Sequence, residues 1–491
     1  MTIMKAFAYL SLGLILFTIT QSGLAEQQFS FNYQDNDYFL DEGVLWRTEA
    51  DGGQQFRVNT QVITVKAAAR SDAAQISSFL HNNKLKLLRT AITGYSDIEL
   101  NSNANYREVL FTLKNSGLFS VVESNTYGKY LFVPNDSQYP AQWHLPQVSA
   151  EAAWDLTAGS TSVAVAVLDS GVEFSHSDLG TGADNYNNIW INPGEDAWSD
   201  PGNPNTGNGI DDDNNGFVDD WKGWDFDNND NNGSGAFFHG TAVAGVLAAK
   251  TNNSNGVAGV AGGNNSPGIS IMIGNVGNNA PNGAVLDDAI LYAAANGARI
   301  IQMSLSVGNS QALDDAIVEA YVNQGLLVIN AAGNGGTANV SYPASLANVM
   351  AIGASDQNDM KVGFSQFGPD LEVSAPGVAI TTTDLNNNYL STAGTSFSAP
   401  LTSGVAALVM SRQPSLSNVQ VRSILHDSAD KVGGYDYNHD ANNPGHSLEM
   451  GFGRVNALAA IQLADSMAGP QVIFANGFEA IPDLIFANGF E

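Results

Sequence analysis

Ser396 is the residue whose position most strongly indicates nucleophilic chemistry. It follows a polar run at residues 384–388 and precedes small and apolar residues at 401–410, a pattern that predicts a loop turning into a buried helix. A serine at a helix start lies near free backbone N–H groups and the positive end of the helix dipole. Both favour negative charge developing beside its oxygen, as a nucleophilic serine needs. Taken alone, Ser396 is more simply explained as an ordinary N-cap serine.

Two further residues could activate such a serine. Asp169 follows a uniformly apolar strand at residues 163–168, and in open parallel sheets catalytic groups collect at the carboxyl ends of strands. His239 starts a helix of small residues at 240–246, where other backbone could approach closely. Each fits a structural role when taken alone, as a turn aspartate or a satisfied histidine. Together they supply what a serine requires, a base to take its proton and a carboxylate to hold the base in one tautomer.

The order Asp, His, Ser and the motifs around these residues resemble the subtilisin-like serine protease family. The resemblance implies a serine endopeptidase in which Asp169 orients His239, His239 deprotonates Ser396, and Ser396 forms an acyl-enzyme. It covers residues 142 to about 461 and is carried by motifs at residues 166–172, 239–245 and 394–396.

The same resemblance implies roles for residues around the triad. Asn334 matches the family's amide that donates to the oxyanion, together with the backbone N–H of Ser396. Ser306 and Ser341 stand where glycine is usual, which predicts a narrower, more polar S1 pocket and a preference for small or medium P1 side chains. Ala242 also differs from the family's pattern, since histidine is usual at this position, but this residue is not part of the triad. The residues expected to contact substrate are Ser304, Leu305, Ser306, Gly333 and Ser341.

The elements that must position these residues alternate between strands and helices. This alternation indicates an α/β sheet with right-handed crossovers, and Gly297 and Gly325 stand where helix C-caps belong. The resemblance implies a three-layer subtilisin-like fold with a mainly parallel central sheet over residues 134–468. Strands are predicted at residues 163–168, 270–273, 299–303 and 326–329, and helices at 286–296, 312–324, 417–430 and 456–463.

The first 133 residues have a different character. Residues 1–25 combine a basic start, a short apolar run and small residues at their end, which predicts a cleaved secretory signal; a bilayer span would need about 20 apolar residues. Residues 26–60 are polar and aromatic without a clear period. Residues 61–123 are rich in basic residues and predict a small α+β unit. The resemblance, looser here, implies a propeptide at residues 26–133 whose inhibitory, ferredoxin-like unit lies at about 61–123.

The charge balance excludes some functions. The chain carries 49 acidic and 19 basic residues, a net charge of −30, which argues against nucleic acid as a partner and suggests solubility, cation binding or a saline habitat. It has no cysteine, so disulfides, thiolate zinc sites and cysteine nucleophiles are excluded. We expect peptide substrates, the chain's own propeptide as an intramolecular inhibitor, a monomer without a stable membrane span, and a secreted or cell-surface location.

An acidic loop at residues 211–220 predicts calcium binding. Side-chain oxygens alternate along it and Gly216 provides a turn, as in known calcium loops. It is not an EF-hand, because Lys222 stands at the twelfth position, and a disordered acidic loop is the alternative. The predicted ligands are Asp211, Asp213, Asn215 and Asp219.

A second calcium site is implied by the resemblance alone. Its side-chain ligands would be Asp178 and Asn253, with Gln142 as a weaker candidate. The backbone carbonyls of Asn255 and Val257 would complete the oxygen set.

The tail at residues 469–491 holds an internal repeat, since residues 473–479 and 485–491 have the same sequence. Seven residues cannot bury a core, and exposed aromatic repeats usually serve a contact. We interpret the tail as a secretion or surface-sorting signal. A frayed end without a role and two strands added to a sheet edge remain alternatives. For the whole chain, the alternative is a non-catalytic binding protein on a protease fold, against which the intact triad argues.

Overall fold

A computed structural model gives the fold of this protein as two compact units, with the chain divided between Tyr130 and Leu131. The predicted signal at 1–25 and the repeated tail at 469–491 lie outside the described residues. The structure describes residues 30–34, 36–41, 44–48, 55–101, 104–126, 132–180, 186–438, 440–441 and 443–467.

The amino-terminal unit is a seven-stranded antiparallel sheet with two helices. Its strands run in the order β1-β2-β3-β4-β6-β5, and β7 pairs with the long β4. The strands are β1 (Ser30–Tyr33), β2 (Asn36–Asp41), β3 (Val44–Thr48), β4 (Gln55–Ala67), β5 (Lys86–Thr90), β6 (Tyr95–Glu99) and β7 (Phe119–Thr126), and the helices are α1 (Ala73–Asn82) and α2 (Tyr106–Asn115).

Strands β1 to β3 were not expected from the sequence, which shows no clear period before residue 61. They belong to the same core as the rest of the unit. The Tyr33 hydroxyl donates to the Val122 carbonyl at 2.9 Å, and the Tyr38 hydroxyl donates to Ser124 Oγ at 2.9 Å. Both tyrosines are buried. The folded unit therefore begins at residue 30 rather than near residue 61.

The carboxy-terminal unit is built on a seven-stranded parallel sheet in the order β14-β13-β12-β11-β8-β10-β9. An antiparallel hairpin, β15 with β16, lies outside this sheet. The strands are β8 (Ala164–Asp169), β9 (Trp224–Asp225), β10 (Ser270–Asn275), β11 (Ile300–Met303), β12 (Leu327–Ala331), β13 (Met350–Ser355), β14 (Leu371–Pro376), β15 (Ile380–Asp384) and β16 (Asn388–Thr392).

Helices cover both faces of this sheet, as the uniformly apolar β8 predicts. Val165 and Val167 point into one core with the helices α5 and α8, whereas the alternate residues Ala164, Ala166 and Leu168 point into another with α6 and α7. The three-layer α/β fold is confirmed. The helices are α3 (His144–Gln147), α4 (Ala150–Trp154), α5 (Phe238–Ala248), α6 (Leu286–Ala295), α7 (Gln311–Val318), α8 (Thr395–Arg412), α9 (Asn418–Asp427) and α10 (Ala457–Met467).

The predicted strands and helices of this unit are all present, with ends shifted by a few residues. One difference is that α7 does not stay α-helical to residue 324, because Glu319–Asn323 form a π-helical turn. Gly297 and Gly325 have φ of 78° and 73°, the left-handed conformation expected after a helix end.

Candidate active site at the carboxyl edge of the sheet

Asp169 and His239 form a direct pair. Asp169 is the last residue of β8, and His239 lies in the first turn of α5. Imidazole Nδ1 lies 2.8 Å from Asp169 Oδ1, which also accepts from the Ser170 N–H at 2.7 Å. Burial lowers the pKa of His239, but the charge of Asp169 and the hydrogen bond to it more than offset this, so that the pKa is raised above its usual 6.5. The pair therefore leaves Nε2 of His239 as the nitrogen that can exchange a proton.

Ser396 lies in the first turn of α8, as the sequence predicts. The start of this helix approaches that of α5, since the rings of Phe397 and His239 lie 5.7 Å apart. Gly394, which precedes the helix, has a φ of 152°, and a Cβ there would lie 3.5 Å from Asn334 Nδ2. A side chain at residue 394 would therefore require strained backbone, and its Cβ would be in van der Waals contact with the Asn334 amide. In this first helical turn the Phe397 N–H donates to the Gly394 carbonyl at 3.1 Å, and the Thr395 N–H donates to Asn334 Oδ1 at 2.9 Å.

The Asn334 amide is held in one orientation. Its Oδ1 accepts from both the N–H and the hydroxyl of Thr395 at 2.9 Å. These two donors fix the oxygen, so Nδ2 is the end of the amide left to donate to a substrate. Thr395 is fully buried, and its hydroxyl also accepts from the Gly333 N–H at 3.3 Å. Thr395 was not among the residues predicted from the sequence, although it belongs to the same motif as Ser396.

The segment after β11 is held from two sides. The Ser304 hydroxyl donates to the Ser396 carbonyl at 2.8 Å, which ties this segment to the start of α8. The buried Asn330 side chain bonds both backbone groups of Leu305, accepting from its N–H at 3.3 Å and donating to its carbonyl at 3.1 Å. The side chain of Ser304 and the backbone of Leu305 are therefore both fixed by protein partners.

A cavity of about 330 Å³ opens beside Ser396, and every residue predicted to contact substrate lines it. Gln366 also lines this cavity, although it was not among the residues predicted from the sequence. Its Oε1 accepts from the Ser341 hydroxyl at 2.8 Å, and its amide donates to the Thr337 hydroxyl at 3.2 Å. The cavity is therefore lined by amide and hydroxyl groups as well as apolar surface. The lining residues are Ser304, Leu305, Ser306, Ala331, Gly333, Asn334, Gly335, Ser341, Gln366, Thr395 and Ser396.

The two residues predicted for the second calcium site, Asp178 and Asn253, lie together. Asp178 is fully buried and accepts from Asn253 Nδ2 at 2.9 Å and from the Val257 N–H at 2.8 Å. A further buried carboxylate, Asp136, accepts from the Asn252 N–H at 2.7 Å and was not among the residues predicted from the sequence. Burial raises the pKa of Asp178 to about 7 and that of Asp136 to about 6. The site thus contains two carboxylates that are costly to ionise.

The weaker candidate Gln142 has protein partners at both ends of its amide. Its Oε1 accepts from the Ala258 N–H at 2.8 Å, and its Nε2 donates to the carbonyls of Ala258 and Thr381 at 2.8 and 3.2 Å.

The acidic loop, residues 211–220, separates its predicted ligands into two groups. Asp211 and Asp213 both accept from the Asn215 N–H at 3.0 Å, and Asn215 Nδ2 donates to Asp213 at 3.2 Å. Asp219 instead accepts from the N–H groups of Asn208 and Gly209 at 2.9 Å. Asp211 and Asp213 therefore lie close together, whereas the carboxylate of Asp219 caps a neighbouring turn.

Comparison with known proteins agrees with this geometry. The family model described as the subtilase family matches residues 160–453. The chain is 34% identical over 334 residues to the thermophilic serine proteinase of Bacillus sp. (strain AK1), an alignment that covers 67% of this chain and 72% of the relative. It is 34% identical over 336 residues to thermitase of Thermoactinomyces vulgaris, and this alignment covers 67% of this chain and 100% of thermitase. It is 31% identical over 410 residues to the halolysin-like extracellular serine protease Nep of Natrialba magadii. This alignment covers 82% of this chain and 66% of the relative. Matched by this family model over more than half of its length, the chain belongs to the subtilase family and is a serine-type endopeptidase.

Proposed function

We propose that this chain is an exported, calcium-stabilised serine endopeptidase made as a zymogen, with Asp169, His239 and Ser396 as its catalytic triad. The proposal is supported by the 2.8 Å contact of His239 with Asp169 and by the approach of Phe397, next to Ser396, to the His239 ring. Ser396 and Asn334 also line one cavity of about 330 Å³. The three proposed triad residues come from segments far apart in sequence.

The proposed chemistry follows from the partners of each atom. His239 Nδ1 donates to Asp169, which leaves Nε2 to accept the proton of Ser396 as the serine oxygen attacks a peptide carbonyl. The tetrahedral oxyanion would accept from Asn334 Nδ2 and from the Ser396 N–H. His239 then protonates the leaving amine, and water activated by the same imidazole hydrolyses the acyl-enzyme.

We propose that the substrate chain pairs with the backbone of Ser304 and Ser306. The Leu305 backbone is already bonded to Asn330, which supports a segment that is held in place before substrate binds. The P1 side chain would enter the cavity beside Ser341 and Gln366. Their hydroxyl and amide occupy space that a glycine would leave open, which supports a preference for small or medium P1 side chains.

The zymogen proposal is supported by the amino-terminal unit. Residues 30–126 form a compact α+β unit of their own, ahead of the family-matched region at residues 160–453. We propose that this unit is the inhibitory propeptide and is removed near residue 133.

Calcium binding is supported by the chemistry of the donors. Carboxylate and amide oxygens are the ligands that calcium prefers, and both proposed sites contain them. At one site, Asp178 and Asn253 would bind the ion together with Asp136, and a divalent cation would offset the cost of ionising two buried carboxylates. At the other site, the ion would lie in the acidic loop.

Export is supported by the signal-like start of the chain and by the word extracellular in the name of the Natrialba relative. Within the described residues, none of the helices is long and apolar enough to cross a bilayer. We propose that the repeated tail serves export or surface attachment.

The proposal is tested with Ser396→Ala. The variant should hydrolyse no peptide substrate and should accumulate as a precursor that still carries residues 26 to about 133, as measured by intact mass. Ser391→Ala, at an exposed serine of β16, is the matched control and should be processed and active like the wild type. Peptide hydrolysis by purified Ser396→Ala protein would refute the assignment of the nucleophile.

A further inference from the structure

Glu195 lies against the acidic loop although it belongs to a separate, earlier segment. One oxygen of Glu195, Oε1, accepts from the Asp212 N–H at 2.8 Å. The side chain is 93% buried, since only 7% of its surface is exposed. Its other oxygen, Oε2, is buried and has no hydrogen-bond partner among the residues that the structure describes. A buried, unpartnered carboxylate oxygen is costly, so its presence needs a physical explanation.

The unpartnered carboxylate belongs to a cluster. Ligand oxygens of Glu195, Asp211 and Asp213 all lie within 4.8 Å of one another. Oxygens that share one calcium ion at about 2.3–2.6 Å are at most about 5 Å apart, so the spacing fits a single ion. No ion pair links these three carboxylates to a basic side chain in the described part of the chain.

Glu195 also supplies what the acidic loop lacks. In a twelve-residue EF-hand loop, side chains at positions 1, 3 and 5 bind the ion, a glycine stands at position 6, and a glutamate at position 12 binds with both oxygens. Counted from Asp211, this loop has Asp213, Asn215 and Gly216 at the matching places, but Lys222 at position 12.

Lys222 faces away from the cluster. Its Nζ donates to the Pro201 carbonyl at 2.6 Å and lies 4.9–5.8 Å from the ring centres of Phe174, Trp198 and Trp221. It therefore neither binds a cation nor neutralises the three carboxylates.

We propose that Glu195 is the missing glutamate of the acidic loop and completes a calcium site with Asp211 and Asp213. The inference rests on the proposed calcium binding by this loop and is independent of the proteolytic chemistry. Gly194 is required beside it, because a Cβ there would lie 2.5 Å from the Asp213 Cβ.

The ion would join two segments and connect them to the core. Asn192, three residues before Glu195, donates to Asp213 at 3.0 Å and to the buried Asp220 at 2.7 Å. Asp220 in turn accepts from the hydroxyl of Tyr292, on α6, at 2.5 Å. Calcium at Glu195 would thus fasten the acidic loop to a helix that packs on the central sheet.

The test counts calcium bound per full-length chain by equilibrium dialysis with radioactive calcium, with Ser396→Ala present in every protein to prevent self-digestion. Glu195→Gln and Asp211→Asn should each remove one bound ion or raise its Kd by on the order of tenfold or more. Asp212→Asn is the control, because this exposed carboxylate lies in the same loop but outside the cluster and should bind like the parent. Glu195→Asp, which keeps the charge on a shorter side chain, should bind with intermediate affinity.

Two results would overturn the inference. If Asp211→Asn loses an ion while Glu195→Gln and Glu195→Asp bind like the parent, the loop binds calcium without Glu195. If all four variants bind like the parent, the acidic loop is not a calcium site. Neither result bears on proteolysis, which separates failure of this inference from failure of the catalytic proposal. Near-ultraviolet circular dichroism of each variant checks that it has folded.

Discussion

The proposed catalytic edge comprises Asp169, His239, Asn334 and Ser396. This edge and the acidic loop hold their carboxylates in opposite ways. Asp169 faces an imidazole at 2.8 Å, and the positive charge that forms on His239 during the reaction has its counter-ion in place. Glu195, Asp211 and Asp213 face one another, with amides and backbone N–H groups as their partners. Asp169 thus has a protein partner that can carry the opposite charge, whereas for the three carboxylates of the second arrangement we propose a cation from solution.

This difference separates chemistry from stability. Changes at the catalytic edge should reduce turnover by orders of magnitude and leave the fold intact, because each removes one hydrogen-bonding group and leaves no cluster of like charges. Removing a cation from the acidic loop should instead loosen the fold, because like charges would remain close together. The predictions below test this separation, beginning with the largest effect.

Asp169→Asn should reduce turnover by about 10⁴ without unfolding the protein, since the amide would hold His239 in the wrong tautomer. It should also change the pH profile. Catalysis needs neutral His239, whose pKa lies above its usual 6.5 because of Asp169, so wild-type kcat/KM should fall as the pH drops through that raised value. In the variant the acid limb should move to lower pH. An unmoved acid limb would contradict the pairing.

Asn334→Ala should reduce turnover by roughly 10²–10³, as found for the equivalent amide in this family, with little change in KM. We propose that the Asn334 amide donates to the oxyanion, so the loss should appear in the transition state rather than in substrate binding. Single-turnover kinetics with a peptide ester would measure it. Normal turnover by this variant would remove Asn334 from the mechanism.

Removing calcium should lower the free energy of unfolding rather than the chemical rate. At a calcium concentration about 100-fold above Kd, one site contributes about 2.7 kcal/mol, so the Tm of Ser396→Ala protein should fall when a chelator is added and recover with calcium. Magnesium serves as the control ion. Identical Tm values with calcium and with chelator would count against both proposed sites.

The S1 preference should be the smallest effect. Small and medium P1 residues should exceed Phe by about 1–3 kcal/mol, or roughly 10–200-fold in kcat/KM, because Ser341 and Gln366 reduce the space of the pocket. Ser341→Gly should shift the preference toward Phe. A peptide library in which wild-type protein strongly prefers Phe or Tyr would show that the pocket is deeper than we infer.

Much of the fold and of the catalytic edge could be predicted because the signals are local. A strand such as β8, apolar on both faces, must lie between two layers, and the triad lies in short motifs. Strands β13 and β14 gave weaker signals, since their sequences contain small residues, proline and charge. Strands β1 to β3 are short. Their tyrosines belong to the core through hydrogen bonds to Val122 and Ser124, which lie far along the chain and which the sequence pattern does not indicate.

The residues that the sequence did not reveal act over long distances along the chain. Asn330 reaches back 25 residues to Leu305, and Gln366 reaches 25 residues to Ser341. Glu195 meets the Asp212 N–H 17 residues later. An isolated amide or carboxylate has no periodicity that marks its partner, so only the folded chain identifies these contacts.

The most direct test of the central claim is covalent labelling of the processed, calcium-loaded protein with a fluorophosphonate, followed by peptide mapping. We predict one adduct per chain, on Ser396, absent from Ser396→Ala and retained in Ser391→Ala. An adduct on a different residue, or none on fully processed protein, would contradict the assignment of Ser396 as the nucleophile.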